Sequence, residues 1–136
     1  MKTIYKTASS ILKQLLLWSF LTIPFFNVNV NAADRFWVAV TNSNWNNTAN
    51  WSSVSGGPPG ASIPGISDTV FFDGFGPGDC IVDVNVDVAG LNVQAGYTGT
   101  ITQGANIIVV RAGGVDFQDG TFAGGIATIT VQGDFS

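Results

Sequence analysis

The chain has 136 residues and a formal charge of −4, with no histidine and no glutamate. Without histidine there is no Ser-His-Asp or Cys-His pair and no imidazole zinc site, and the lone Cys80 cannot build a thiolate cluster. All three lysines (Lys2, Lys6, Lys13) lie at the start, whereas all 17 glycines and all nine acidic residues lie after Ala32, so the average joins two unlike segments.

The lysine-bearing head, the mostly apolar stretch Leu15 to Phe26 and the short polar stretch ending Val30-Asn31-Ala32 have the layout of a secretory signal peptide. Cleavage is expected after Ala32. The apolar stretch is short against the roughly 20 residues of a membrane span, and Pro24 interrupts its end, so cleavage is preferred to a retained anchor. Removing 32 of 136 residues leaves 104, with nine Asp, two Arg (Arg35, Arg111) and no Lys: a side-chain charge of −7. Such a body lacks the clustered cations that bind nucleic acid or anionic lipid. A single cysteine excludes a disulfide framework, and Cys80, followed by Ile81 and Val82, reads as a small buried hydrophobe.

Residues 33–67 form a segment of distinct character. Trp37, Trp45 and Trp51 are interleaved with Asn42, Asn46, Asn47 and Asn50, then followed by Gly56-Gly57-Pro58-Pro59-Gly60 and Ile63-Pro64-Gly65. Two readings compete. Exposed Trp and Asn make a sugar platform, with Trp45, Asn46, Asn50 and Trp51 as the candidate carbohydrate contacts. Alternatively, the three tryptophans plug the open end of a repetitive β-structure, covering apolar surface that no earlier layer meets. The plug is the preferred reading. Asn46-Asn47-Thr48 and Asn50-Trp51-Ser52 also match the N-glycosylation triplet.

From Asp68 onward the signal has period two. Val82, Val84, Val86 and Val88 face one way, and Asp83, Asn85 and Asp87 the other, which predicts a half-buried strand over 81–88. Further short strands are predicted at 69–72, 91–93, 100–102, 107–110, 115–117, 121–122 and 127–131, with Gly or Asn in nearly every gap. β-branched residues stand where a helix would use Leu, Glu or Lys, so the body is expected to be all-β. Only Asp73-Gly74 and Asp119-Gly120 resemble two-residue hairpin turns. A Gln-before-Gly echo recurs at Gln94, Gln103, Gln118 and Gln132 with spacings of 9, 15 and 14. Short strands, Gly corners and a recurring sub-motif favour a parallel β-solenoid over a sandwich, with about four or five rungs in 104 residues. Residues 68–136 are assigned to these rungs. Since no polar cap is visible after Val131-Gln132-Gly133, the array is expected to continue in a longer protein.

The order Phe36-Trp37-Val38, Asn44-Trp45-Asn46, Ala49-Asn50-Trp51, Ile63-Pro64-Gly65, Asp68-Thr69-Val70-Phe71-Phe72-Asp73 resembles the N-terminal lead-in of large bacterial secreted β-solenoid proteins, among them autotransporter-type adhesins and related Gly/Thr-rich repeat proteins. Val86 to Val93 and Tyr97 to Thr102 are similar to their first rungs. The resemblance implies a right-handed parallel β-helix at the cell surface or in the medium, with adhesion or structural display as its role.

The acids are the remaining candidates for catalysis. Asp83 and Asp87 on one straight strand would stand about 13 Å apart, beyond the roughly 5 to 9.5 Å of a glycosidase pair. Asp116, Asp119 and Arg111 are the residues a lyase would use, but solvent-facing charge and a turn at Asp119-Gly120 are preferred. Asp83, Asn85 and Asp87 offer oxygens that calcium favours, yet spread along a strand they do not converge. The expectation is therefore a non-enzymatic exported segment without cofactor or metal, whose partner is an extracellular polysaccharide or a surface protein. A carbohydrate-binding module and a fragment of a polysaccharide lyase or hydrolase are the alternatives.

Overall fold

A computed structural model describes residues 31–136, and the expected signal peptide, apart from its last two residues, lies outside the described residues. The chain is a parallel β-solenoid of about three turns. The first full rung is β4 (Thr69–Phe72), β5 (Cys80–Ile81) and β6 (Val86–Val88); the second is β7 (Gly90–Val93), β8 (Thr100–Thr102) and β9 (Ile108–Val110); the third is β10 (Val115–Phe117), β11 (Thr121–Ala123) and β12 (Ile129–Val131). Before them come β1 (Asp34–Trp37), β2 (Ser43–Asn44), a 3-10 turn (Thr48–Asn50) and β3 (Trp51–Ser52).

The strands stack into three sheets, ordered β10-β7-β4-β1-β3, β11-β8-β5-β2 and β12-β9-β6. Every pair is parallel except β1 with β3. Alternation along each strand becomes a column across the rungs, because parallel pairing places like beside like. Inward columns run Val70–Leu91–Val115, Cys80–Ile101–Phe122, Val86–Ile108–Ile129 and Val88–Val110–Val131. Positions 80, 101 and 122 give a repeat of 21 residues. In the next crossover, from the third sheet back to the first, Ala89 alone separates β6 from β7, but Arg111 to Gly114 separate β9 from β10.

Three turns replace the four or five expected, because before the first full rung β1 and β2 make only a partial layer on β4 and β5, and the 3-10 turn, the reversed β3 and the long loop to Asp68 take up the rest of residues 33–67. The predicted single strand over 81–88 is also two strands and a corner: Val82, Val86 and Val88 are buried and Val84 half-buried, but the chain turns between Val82 and Val86. The Gln-Gly echo is not a rung period. Gln94 and Gln118 follow the first sheet in successive rungs, whereas Gln103 follows the second sheet and Gln132 the third.

Glycine is required where rungs nearly touch. Gly74 has φ +88°, and a Cβ there would lie 2.6 Å from the Gly96 carbonyl oxygen. A Cβ on Gly78 would collide with the Thr41 carbonyl of the cap.

Candidate functional site

The three tryptophans among the described residues lie inside the solenoid. Trp37 and Trp51 are completely buried and Trp45 is 3% exposed. Trp51 packs edge-on against both others, with centroids 5.1 Å from Trp37 and 4.8 Å from Trp45, and Phe72 and Tyr97 continue the aromatic stack into the rungs. Polar ring atoms find backbone partners: Trp37 Nε1 donates to the Gly78 carbonyl at 2.9 Å and Trp51 Nε1 to the Trp45 carbonyl at 2.8 Å. The Tyr97 hydroxyl donates to that same Gly78 oxygen. Burial, then Cys80 and Asp79, push its pKa up.

Of the four candidate sugar contacts, only Asn46 is exposed. Trp45 and Trp51 have no free ring face on which a sugar could stack. Asn50 is 6% exposed, and its amide donates to Ser43 Oγ at 2.8 Å and to the Asn44 carbonyl at 2.7 Å. Its glycosylation triplet is therefore folded into the cap. The geometry removes the platform and leaves the plug. The plug is reinforced because β3 reverses direction, and its Trp51 carbonyl accepts from the Gly60 and Ala61 amides, so the loop shields that edge.

Arg35 shows a further cap device that the sequence concealed. It pairs with Val70 in register, at the head of an inward column. Its guanidinium donates to Ser62 Oγ and the Ser62 carbonyl, and lies 3.9 Å from Asp68. Asp68 in turn accepts from the Ala33 and Gly65 amides. A charge at the top of an apolar column is thereby compensated, and the long loop is tied to the first rung.

The other acids mostly act as braces between layers instead of free surface charge. Asp79 accepts from the Thr100 amide at 2.8 Å, Asp83 from Asn46 at 2.9 Å, and Asn85 from Ile107 at 2.9 Å. Asp83, Asn85 and Asp87, considered together for calcium, thus serve three different partners. Asp87 meets Arg111 through two bonds of 2.8 and 2.9 Å, and this hydrogen bonding raises the Arg111 pKa. The extra residues between β9 and β10 supply that arginine. Asp119 accepts from the Gly96 and Gly120 amides, and Asp116 from Gln118 Nε2. The Arg111, Asp116 and Asp119 set is therefore divided among separate structural bonds. Asp73 Oδ2 is the one buried side-chain oxygen without a partner among the described residues. Among those residues no three acid or thiol groups gather as a metal site would require.

Cys80 is fully buried in its inward column, and burial, then Asp83, raise its thiol pKa. Gln103 is the unexpected core residue. Its amide donates to the Asn106 and Ala127 carbonyls, both at 3.0 Å, and its oxygen accepts from the Gly125 amide at 2.9 Å. One side chain thus closes the corner of two rungs. The only sequence signal for it was the inward parity after Ile101.

The outer surface carries the residues of opposite parity. Its columns run Phe36–Phe71–Asn92–Asp116 on the first sheet, Asn44–Ile81–Thr102–Ala123 on the second and Asp87–Val109–Thr130 on the third. Phe36 and Phe71 stack with centroids 4.9 Å apart and planes inclined by 16°. The outer faces are thus mixed, with apolar members among Thr, Asn and Asp. Among the described residues no helix is long and apolar enough to cross a membrane. Comparison of the chain with protein families, curated proteins and solved structures found no match.

Proposed function

We propose that the protein is a non-enzymatic, exported structural or adhesive β-solenoid that presents its outer columns to an extracellular polysaccharide or surface protein. The observation that carries this reading is the use of the acids. Asp68, Asp79, Asp83, Asp87 and Asp119 each brace a cap, corner or neighbouring rung, so the groups best suited to chemistry are engaged in holding the stack rigid. A rigid stack keeps outward side chains in fixed rows, and binding then loses little conformational entropy. Export rests on the lysine-bearing head, the apolar stretch and the Val30-Asn31-Ala32 boundary. The resemblance of residues 36–73 to the lead-in of secreted adhesin-like solenoids supports the same reading.

Expression in a bacterial host followed by mass spectrometry of the exported fraction tests the first half: the mature chain should begin at Ala33. Beads coated with the protein should then bind cell-surface material, and substitutions on the outer columns, such as Asn92→Arg, should weaken that binding without altering folding. Retention in the cytoplasm, or binding indifferent to all three outer columns, would sink the reading.

A further inference from the structure

The outer face of the first sheet holds a row that neither the cap nor the core accounts for. The register of β1, β4, β7 and β10 sets Phe36, Phe71, Asn92 and Asp116 side by side on that face. Phe36 and Phe71 are half-buried and stack on each other, with centroids 4.9 Å apart. Such a pair covers one face of each ring and leaves ring surface toward the next member of the row, Asn92. Gln94 and Gln118 stand beside Asn92 and Asp116 on the same face. Their backbone amides continue the ladder, to the Phe72 carbonyl at 2.9 Å and the Val93 carbonyl at 2.8 Å. The side-chain amides of Asn92 and Gln94 have no partner among the described residues, and their polar atoms reach solvent.

The other two outer faces lack this combination of rings and unspent amides. The second carries Ile81 and Thr102, with Asp79 engaged by the Thr100 amide, and the third pairs Asp87 with Arg111. Charge narrows what can lie on the row. Arg35 is tied to Ser62 and Asp68, and Arg111 to Asp87, so among the described residues no free cation stands ready to receive an anionic chain beside Asp116. A basic peptide finds little more. Asp73, beside Phe71, already accepts from the Phe75 amide and has its other oxygen buried, and Asp116 accepts from Gln118. That leaves only the exposed Asp34 at the cap edge. A neutral, hydroxyl-rich ligand needs what the row does offer: apolar ring surface for the C–H face of a sugar, and amides that both donate to and accept from its hydroxyls.

We propose that the Phe36–Phe71–Asn92–Asp116 row, with Gln94 and Gln118 beside it, is a binding site for a neutral polysaccharide lying along the solenoid axis. This rests on the reading of the outer columns as a display surface and adds which face binds and what it takes. Successive layers lie about 4.8 Å apart, close to the length of one pyranose unit, so the row meets about three consecutive sugars. The ring surface that the buried Trp45 and Trp51 withhold is supplied by phenylalanine.

Isotope-labelled protein followed by NMR should be titrated with hexasaccharides of glucose, mannose, galactose and N-acetylglucosamine. At least one of them should shift the amides of β4, β7 and β10 while leaving those of β9 and β12 in place. The affinity should change less than about twofold between about 20 and 500 mM sodium chloride, because no ion pair forms. Phe71→Leu should weaken binding about tenfold and Asn92→Ala about fivefold. An unchanged thermal midpoint in Asn92→Ala separates a lost contact from a lost fold. The proposal fails if none of the hexasaccharides shifts these amides at millimolar concentration, or if Phe71→Leu and Asn92→Ala both bind as the parent does. It also fails if oligolysine, and no sugar, occupies the row with an affinity that collapses as salt rises, since the occupant is then a basic protein segment. In each of these cases, coated beads that still capture cell-surface material preserve the display reading, whereas beads that capture nothing remove that reading itself.

Discussion

Asp119 accepts backbone hydrogen bonds from Gly96 at 3.0 Å and Gly120 at 2.9 Å, and these donors hold its carboxyl below its ordinary value of 3.8. A carboxylate with a lowered folded pKa contributes stability that is present above the unfolded value and lost as pH falls through the folded one. Urea midpoints measured from pH 6 down to pH 2 should therefore fall on the acid side, and Asp119→Asn should flatten that fall; an unchanged acid limb in the variant would show that the two bonds do not matter. Cys80 provides a second residue-scale test. With its thiol buried and its pKa raised, a maleimide at pH 8 should label it only after denaturation, and rapid labelling of native protein would contradict its inward placement. The inward parity of Cys80 was legible from the alternation that follows it. The bracing bonds of Asp79, Asp83 and Asp119 were not, because their partners stand in other layers, 21, 37 and 23 residues away.

Among elements, the cap and the corners depend on particular side chains. Trp51 fills the space between Trp37 and Trp45 and closes the core, and a buried aromatic of this size contributes about 4 to 6 kcal/mol at about 25 cal/mol per Å². Trp51→Ala should cost about 3 to 5 kcal/mol in chemical denaturation, with the loss seen first as faster exchange in β1 and β4. A cost under about 1 kcal/mol would mean that the ring is not the plug. At the corner after β8, Gln103→Leu strands the Gly125 amide and the Asn106 and Ala127 carbonyls, and should cost about 1 to 3 kcal/mol. The short strands at 69–72, 100–102 and 115–117 were read with their observed bounds, since alternation over three or four residues is a local property. Strands β1, β2 and β3 were not, because each pairs with residues distant in sequence or across the reversed cap.

For the whole molecule, one sign of charge dominates. The described residues carry nine Asp against two Arg, and both arginines are committed, Arg35 to the cap loop and Arg111 to Asp87. Self-repulsion of this kind is relieved by counterions, over a Debye length of about 10 Å at 0.1 M salt. Raising sodium chloride from about 20 to 500 mM should increase the thermal midpoint by a few degrees. A midpoint that falls with salt would show that the Arg111–Asp87 and Arg35–Asp68 pairs outweigh the excess of aspartate.

The sequence by itself determined the all-β class and the inward or outward parity of most strand residues. These follow from side-chain alternation and composition, which act over a few neighbouring positions. Only the tertiary structure decided that there are three turns, that Trp45 and Trp51 face the core, and that the acids act as braces. Each depends on which residues the 21-residue repeat and the reversed cap bring together. Where the chain turns sets that juxtaposition, and period two continues through a corner such as Val82 to Val86 without marking it.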